Sequence, residues 1–171
     1  MNLHGAKTIG IQKGSQRQGS ELSVMNLAFY SSQLKMMEAS TMSMFHLAIP
    51  SYDLEATRKF YTEVFGLQVG RSYSSYIIFN FFGHQVVTHL DKEEKTQALK
   101  MYPRHFGLIV ESLDEFNVIY ERCVKANAPF FEARFERLIN MPGWHHSFFV
   151  NDPSNNLIEF KHYVNEVAIF N

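Results

Sequence analysis

The sequence predicts an α+β fold made of two paired βαβββ modules. Three observations carry that reading: a strand–helix signal that recurs 59 residues later, three strand signals behind each helix, and a length of 171 residues that suits one ordinary domain. Hydrophobic residues make up 46% of the chain and charged residues 19%, the balance of a globular protein. Lys and Arg number 16 against 17 Asp and Glu, a formal net charge of −1. Without a basic surplus there is no counterion-release drive toward nucleic acid, so no nucleic-acid partner is expected. No apolar run approaches the ~20 residues needed to span a bilayer, so no membrane partner is expected either. Cys123 has no second cysteine to pair with, which fits a reducing, cytoplasmic setting.

Residues 1–43 read apart from the rest. Lys13 to Ser20 contain no apolar residue and no helical period, which predicts disorder. Six of the eight methionines fall within the first 44 residues, so a start near Met37–Met44 and a dispensable leader are expected. A targeting peptide fits less well: Glu21 and Glu38 interrupt the segment and an apolar core is missing. The folded domain is expected over 44–165, with modules at about 44–91 and 103–163.

In the first module, Phe45 to Ile49 read as a strand ended by Pro50. Asp53 can cap a helix carrying Leu54, Phe60, Tyr61, Val64 and Phe65 on one face, and Gly66 stops it. Strand signals follow at Leu67–Tyr73, Tyr76–Phe82 and His84–Leu90. In the second module, His105–Val110 is the matching strand, and Ser112 with Glu115 forms a capping box. Its helix places Phe116, Ile119, Tyr120, Cys123 and Val124 on one face. Strands are then expected at Phe130–Phe135, His145–Asn151 and Leu157–His162, the last two joined by a Pro- and Asn-containing turn. His46 and His105 are 59 residues apart, as are the caps Asp53 and Ser112.

Side chains alternate across a strand, so the apolar sets of the first strands pack on the helices and leave His46 and His105 on the opposite face. By the same alternation Glu159 faces away from the helices in the last strand. His46, His89, His105 and Glu159 are therefore expected to meet on one side of a curved sheet. Scattered polar residues on a wetted sheet face are the plainer alternative. Two histidines at equivalent repeat positions plus a strand-borne carboxylate argue instead for a divalent ion. Two imidazoles and one carboxylate leave coordination positions open on Fe(II) or a similar metal. Alternation also turns His145 toward the cup beside Ser147 and Phe149, and Asn80 with Tyr76 and Ile78 toward its lining. Trp144 and Cys123 read as packing residues, His84 as a loop residue and His162 as solvent-facing.

These residues resemble the vicinal oxygen chelate superfamily, which includes glyoxalase I, extradiol dioxygenases, methylmalonyl-CoA epimerase and the fosfomycin and bleomycin resistance proteins. The resemblance rests on Phe45-His46-Leu47-Ala48-Ile49-Pro50, Phe60-Tyr61 with Phe65-Gly66, Arg104-His105-Phe106-Gly107 and Asp152 to Phe160. It implies metal ligands at His46, His105 and Glu159. Separations of 43, 16 and 54 residues along His46, His89, His105 and Glu159 are similar to the extradiol arrangement, in which the second histidine is acid–base rather than ligand. The segment Phe81 to Leu90 also resembles single-domain proteins predicted to be extradiol-type dioxygenases. Two departures stand out. Phe149 occupies the place where a tyrosine usually stands, so its ring fills space without offering a hydroxyl, and Asn155 replaces a common turn glycine.

The leading expectation is thus an Fe(II) ring-cleaving dioxygenase of a catechol-like small molecule, with His89 moving the proton and His145, Phe149 and Asn80 touching substrate. A glyoxalase-, lyase- or isomerase-type enzyme using Ni, Zn or Mn, with His89 as fourth ligand, is the second reading. A bleomycin-resistance-type binding protein is the third, disfavoured by the complete His/His/Glu set. The resemblance also implies a homodimer.

Overall fold

A computed structural model describes residues 43–93 and 100–171. Ser43 aside, the expectations about the leader lie outside the described residues. Met44–Asn171 form one compact unit.

The chain runs β1 (His46–Ser51), α1 (Leu54–Glu63), β2 (Gln68–Ser72), β3 (Tyr76–Phe81) and β4 (His84–Leu90). It then repeats the order as β5 (Phe106–Ile109), α2 (Leu113–Lys125), β6 (Phe130–Arg137), β7 (His145–Asn151) and β8 (Leu157–Tyr163), closing with a 3-10 turn at Glu166–Ile169. The two βαβββ modules are as the sequence predicts. Their strands hydrogen-bond into two separate four-stranded sheets, ordered β1-β4-β3-β2 and β5-β8-β7-β6. In each, the first strand lies parallel to the last and at the edge.

Local chemistry accounts for the element ends. The Asp53 carboxylate accepts from the Glu55 and Ala56 amides at 2.9 and 3.0 Å, and the Ser112 hydroxyl accepts from Glu115 N at 3.1 Å. Each satisfies N–H groups that the first helical turn leaves without a partner. Gly66, at φ +71°, takes the left-handed conformation that ends α1. Phe82 and Gly83, at φ 51° and 88°, form the two-residue turn between β3 and β4. The first strand continues through Pro50 to Ser51 rather than ending at the proline. β1 is an edge strand, where a residue lacking an N–H removes no ladder bond.

The helix-side faces of both sheets merge into one core. Tyr61 and Phe79 stack at 4.8 Å, Phe148 and Phe160 at 5.2 Å, and Phe65 and Phe81 of the first module reach Phe160 of the second at 5.2 and 6.2 Å. Polar bonds tie the modules at the edge of this core. Tyr61 donates its hydroxyl to Asp152 at 3.2 Å, Asn156 Nδ2 donates to Pro50 O at 2.9 Å, and Arg122 donates to Phe65 O at 3.2 Å. Burial pushes the Asp152 carboxyl above its ordinary value, partly offset by donors from Asn156 and Ser154. Cys123 is fully buried in this core, and burial pushes its thiol up to about 12, which suits an inert packing residue.

Candidate metal centre

The faces turned away from the core carry the candidate chemistry. On the second sheet, β5 and β8 run parallel with Gly107 opposite Glu159. This approach is so close that a Cβ on Gly107 would lie 1.9 Å from the Glu159 carbonyl oxygen. The absent side chain lets β5 close onto β8, and the result is that His105 Nε2 stands 3.3 Å from Glu159 Oε2.

The partners of this pair fix its orientation. His105 Nδ1–H donates to the Met101 carbonyl at 2.7 Å, which turns Nε2 toward Glu159. Glu159 is 9% exposed; its Oε1 accepts from the Ser147 hydroxyl at 2.7 Å and lies 3.3 Å from Lys161 Nζ. Phe149, fully buried, meets the His105 ring edge-on at 5.4 Å and stacks on Phe135 at 6.1 Å. It packs behind the imidazole. His145 lies on the same face, 8% exposed, with Nδ1–H donating to Gly143 O at 2.7 Å and its ring 5.1 Å from Tyr163.

His46 occupies the equivalent place on the first sheet. Its Nδ1–H donates to Gln85 Oε1 at 2.7 Å, the two residues being register partners across β1 and β4. Gln85 is the residue the sequence reading missed. His89 stands on the same face but four positions further along β4, about 13 Å at the usual rise per residue, opposite Pro50. Its ring lies 5.5 Å from Tyr76. Asn80 shares that face, and its side chain accepts from Gly83 N at 2.8 Å, securing the β3–β4 turn.

The structure therefore brings His105 and Glu159 together and keeps His46 with Gln85 on the other sheet. Among the described residues, no group of three or more His, Cys, Asp or Glu side chains has the spacing to hold a metal. A cleft of about 430 Å³ beside the start of α1 is lined by Tyr52, Arg58, Tyr73 and Lys92, and by none of the candidate ligands.

The donors nevertheless suit a divalent ion. Both histidines spend Nδ1–H on an oxygen acceptor, which leaves Nε2 as the lone pair a metal takes. In that tautomer His105 Nε2 and Glu159 Oε2 are two acceptors face to face, an arrangement that a proton or a cation relieves.

The opposite face of the second sheet is structural. His146 packs on Phe116 at 6.0 Å, and its Nδ1 is buried without a hydrogen bond, 3.7 Å from Glu136. Trp144 Nε1 donates to Glu136 Oε2 at 2.7 Å. His162 is half-buried rather than solvent-facing, because β8 alternation sends it to the core side, where it stacks on His146 at 6.2 Å. His84 begins β4 instead of sitting in a loop, and its Nδ1 accepts from Phe45 N at 3.4 Å.

Burial lowers the His146 pKa from 6.5; Glu136 opposes that shift, while Arg134, His162 and His145 add to it. Below pH 6.5 the unfolded chain takes up a proton that folded His146 resists, so stability present at neutral pH is lost as the solution is acidified. We expect the thermal midpoint to fall between pH 7 and 5, and to fall less in His146→Phe.

Among the described residues, no helix is long and apolar enough to cross a membrane. No curated protein matches the chain. Among solved structures, a glyoxalase/bleomycin resistance protein/dioxygenase from Alicyclobacillus acidocaldarius is 36% identical, with a TM-score of 0.72 over 75% of this chain and 96% of that one. The fosfomycin resistance protein FosX from Listeria monocytogenes (18% identity, TM-score 0.58, 74% of this chain and 98% of that one) shares the fold. So does lactoylglutathione lyase from Agrobacterium tumefaciens (17%, 0.54, 70% and 92%). The Glyoxalase/Bleomycin resistance protein/Dioxygenase superfamily profile matches residues 43–160, and together with the repeated modules this establishes that the chain belongs to that superfamily.

Proposed function

We propose that the protein is a divalent-metal-dependent enzyme acting on a small molecule with neighbouring oxygen atoms, through a centre completed by two copies of the chain. His105 and Glu159 of one copy and His46 of the other would hold the ion. The carrying observation is the division of the ligands: a ready pair on one sheet, and a third donor with the same free Nε2 on the other. β1 and β5 are both edge strands, with Phe45 just before β1 and Ile109 at the end of β5 exposed. A two-fold dimer that sets β1 of each copy beside β5 of the other would join both half-sites at once. This homodimer replaces the single-chain cup expected from sequence.

The chemistry that the register favours is lyase- or isomerase-type. Bound there, the ion would act as a Lewis acid on a substrate oxygen. Gln85, a neutral amide beside His46, stands where a fourth ligand or near-ligand would be, while His89 lies four positions away. The chain's own residues orient both imidazoles through Nδ1, close one side of the site with Phe149, and offer His145 and Lys161 to substrate. On that register we rank lyase- or isomerase-type chemistry ahead of the ring cleavage that the sequence ranked first. Ring cleavage with His89 as acid–base is the second reading, supported by His89 sharing the face of His46.

Metal analysis of protein purified under low oxygen should find close to one Ni, Zn, Mn or Fe per chain. With the metal replaced in turn, turnover of methylglyoxal–thiol adducts without oxygen uptake is the expected result. Oxygen uptake by the anaerobically Fe(II)-loaded protein on catechols would instead establish the dioxygenase reading. Metal-free protein that stays so after loading would remove both.

A further inference from the structure

The outer oxygen of Glu159 points to a role for Ser147. Ser147 is fully buried on β7, on the same face as Glu159, and its hydroxyl donates to Oε1 at 2.7 Å. The carboxylate end of a glutamate turns about a broad, roughly two-fold torsion, so the rotamer alone does not choose which oxygen faces His105. A donor at hydrogen-bonding distance makes that choice. Lys161 Nζ also approaches Oε1, at 3.3 Å, but it divides its position with the Tyr163 ring at 5.8 Å and keeps 22% of its side chain exposed. Ser147 is the short, buried, inflexible member of the two.

We propose that Ser147 is a positioning residue of the metal centre: its hydroxyl engages Oε1 and leaves Oε2, beside His105 Nε2, as the oxygen offered to the ion. The inference rests on the reading of Glu159 as a ligand. It adds that the carboxylate is held to one-oxygen binding, which keeps a coordination position free for substrate. A hydroxyl that served only to satisfy a buried carboxylate would leave metal affinity untouched.

Titration with Mn²⁺ alone, followed by calorimetry and by the infrared carboxylate bands, separates these possibilities. Wild type is expected to bind, Glu159→Gln to lose binding, and Ser147→Ala to bind about 10- to 100-fold more weakly, the usual effect of removing an outer partner of a ligand. The separation between the two carboxylate stretches on Mn²⁺ addition should narrow in Ser147→Ala, and Ser147→Thr should restore both readouts. Should threonine's methyl disturb the buried strand, Ser147→Ala decides alone. Unchanged affinity and bands in Ser147→Ala overturn the positioning role while Glu159 remains a ligand. Binding by Glu159→Gln equal to wild type, or no binding by wild type, removes the ligand reading and this proposal with it.

Discussion

Gly107→Ala is expected to be among the most damaging single substitutions in the second module. The new Cβ would stand 1.9 Å from the Glu159 carbonyl oxygen and 2.7 Å from its carbon, and both are backbone atoms inside a paired strand. No rotamer change relieves such a contact. β5 must move off β8, which breaks ladder bonds and separates His105 from Glu159. Overpacking a tight site costs about 1–3 kcal/mol and sometimes more, and strand separation puts this one at the upper end. Urea unfolding followed by circular dichroism measures the loss, and Mn²⁺ titration of the folded fraction should find the site gone. Gly70→Ala is the matched control. A Cβ there meets Ile78 at 3.5–3.7 Å, an ordinary contact, so its stability should stay near wild type. Equal behaviour of the two variants would refute the close-approach argument.

What was legible in the sequence was local. Asp53 and Ser112 act within three residues of themselves, so both helix starts could be read from short motifs, and the 59-residue offset carried the modular repeat. Strand alternation separated Ile49, Val110 and Phe160 in the core from His46 and Glu159 on the other face. Long-range relations were not legible. The parallel register of β1 on β4 follows from how the intervening helix and hairpin return the chain, and it places Gln85 rather than His89 beside His46. The need for glycine at 107 arises where two strands meet 52 residues apart in sequence. Alternation fixed which face His46 and Glu159 occupy, yet it carried no information about whether those faces belong to one sheet or two.

That last distinction makes a mixing experiment the sharpest test of the shared centre. His46→Ala and Glu159→Gln should each be inactive alone, since each removes a ligand from both sites of its own dimer. In a heterodimer of the two, one site combines both lesions, while the other combines the intact His46 of one chain with the intact His105 and Glu159 of its partner. Random reassociation makes about half the dimers mixed, so about a quarter of wild-type activity and metal capacity should return. Recovery is specific to a divided site, because a centre built within one chain is already broken in every molecule and no exchange of subunits repairs it. The same logic excludes recovery for His105→Ala mixed with Glu159→Gln: those two residues lie 3.3 Å apart in one chain, and each mixed site would lack one of them. A quarter returned by the first pair and nothing by the second would fix both the ligands and the way they are divided between subunits.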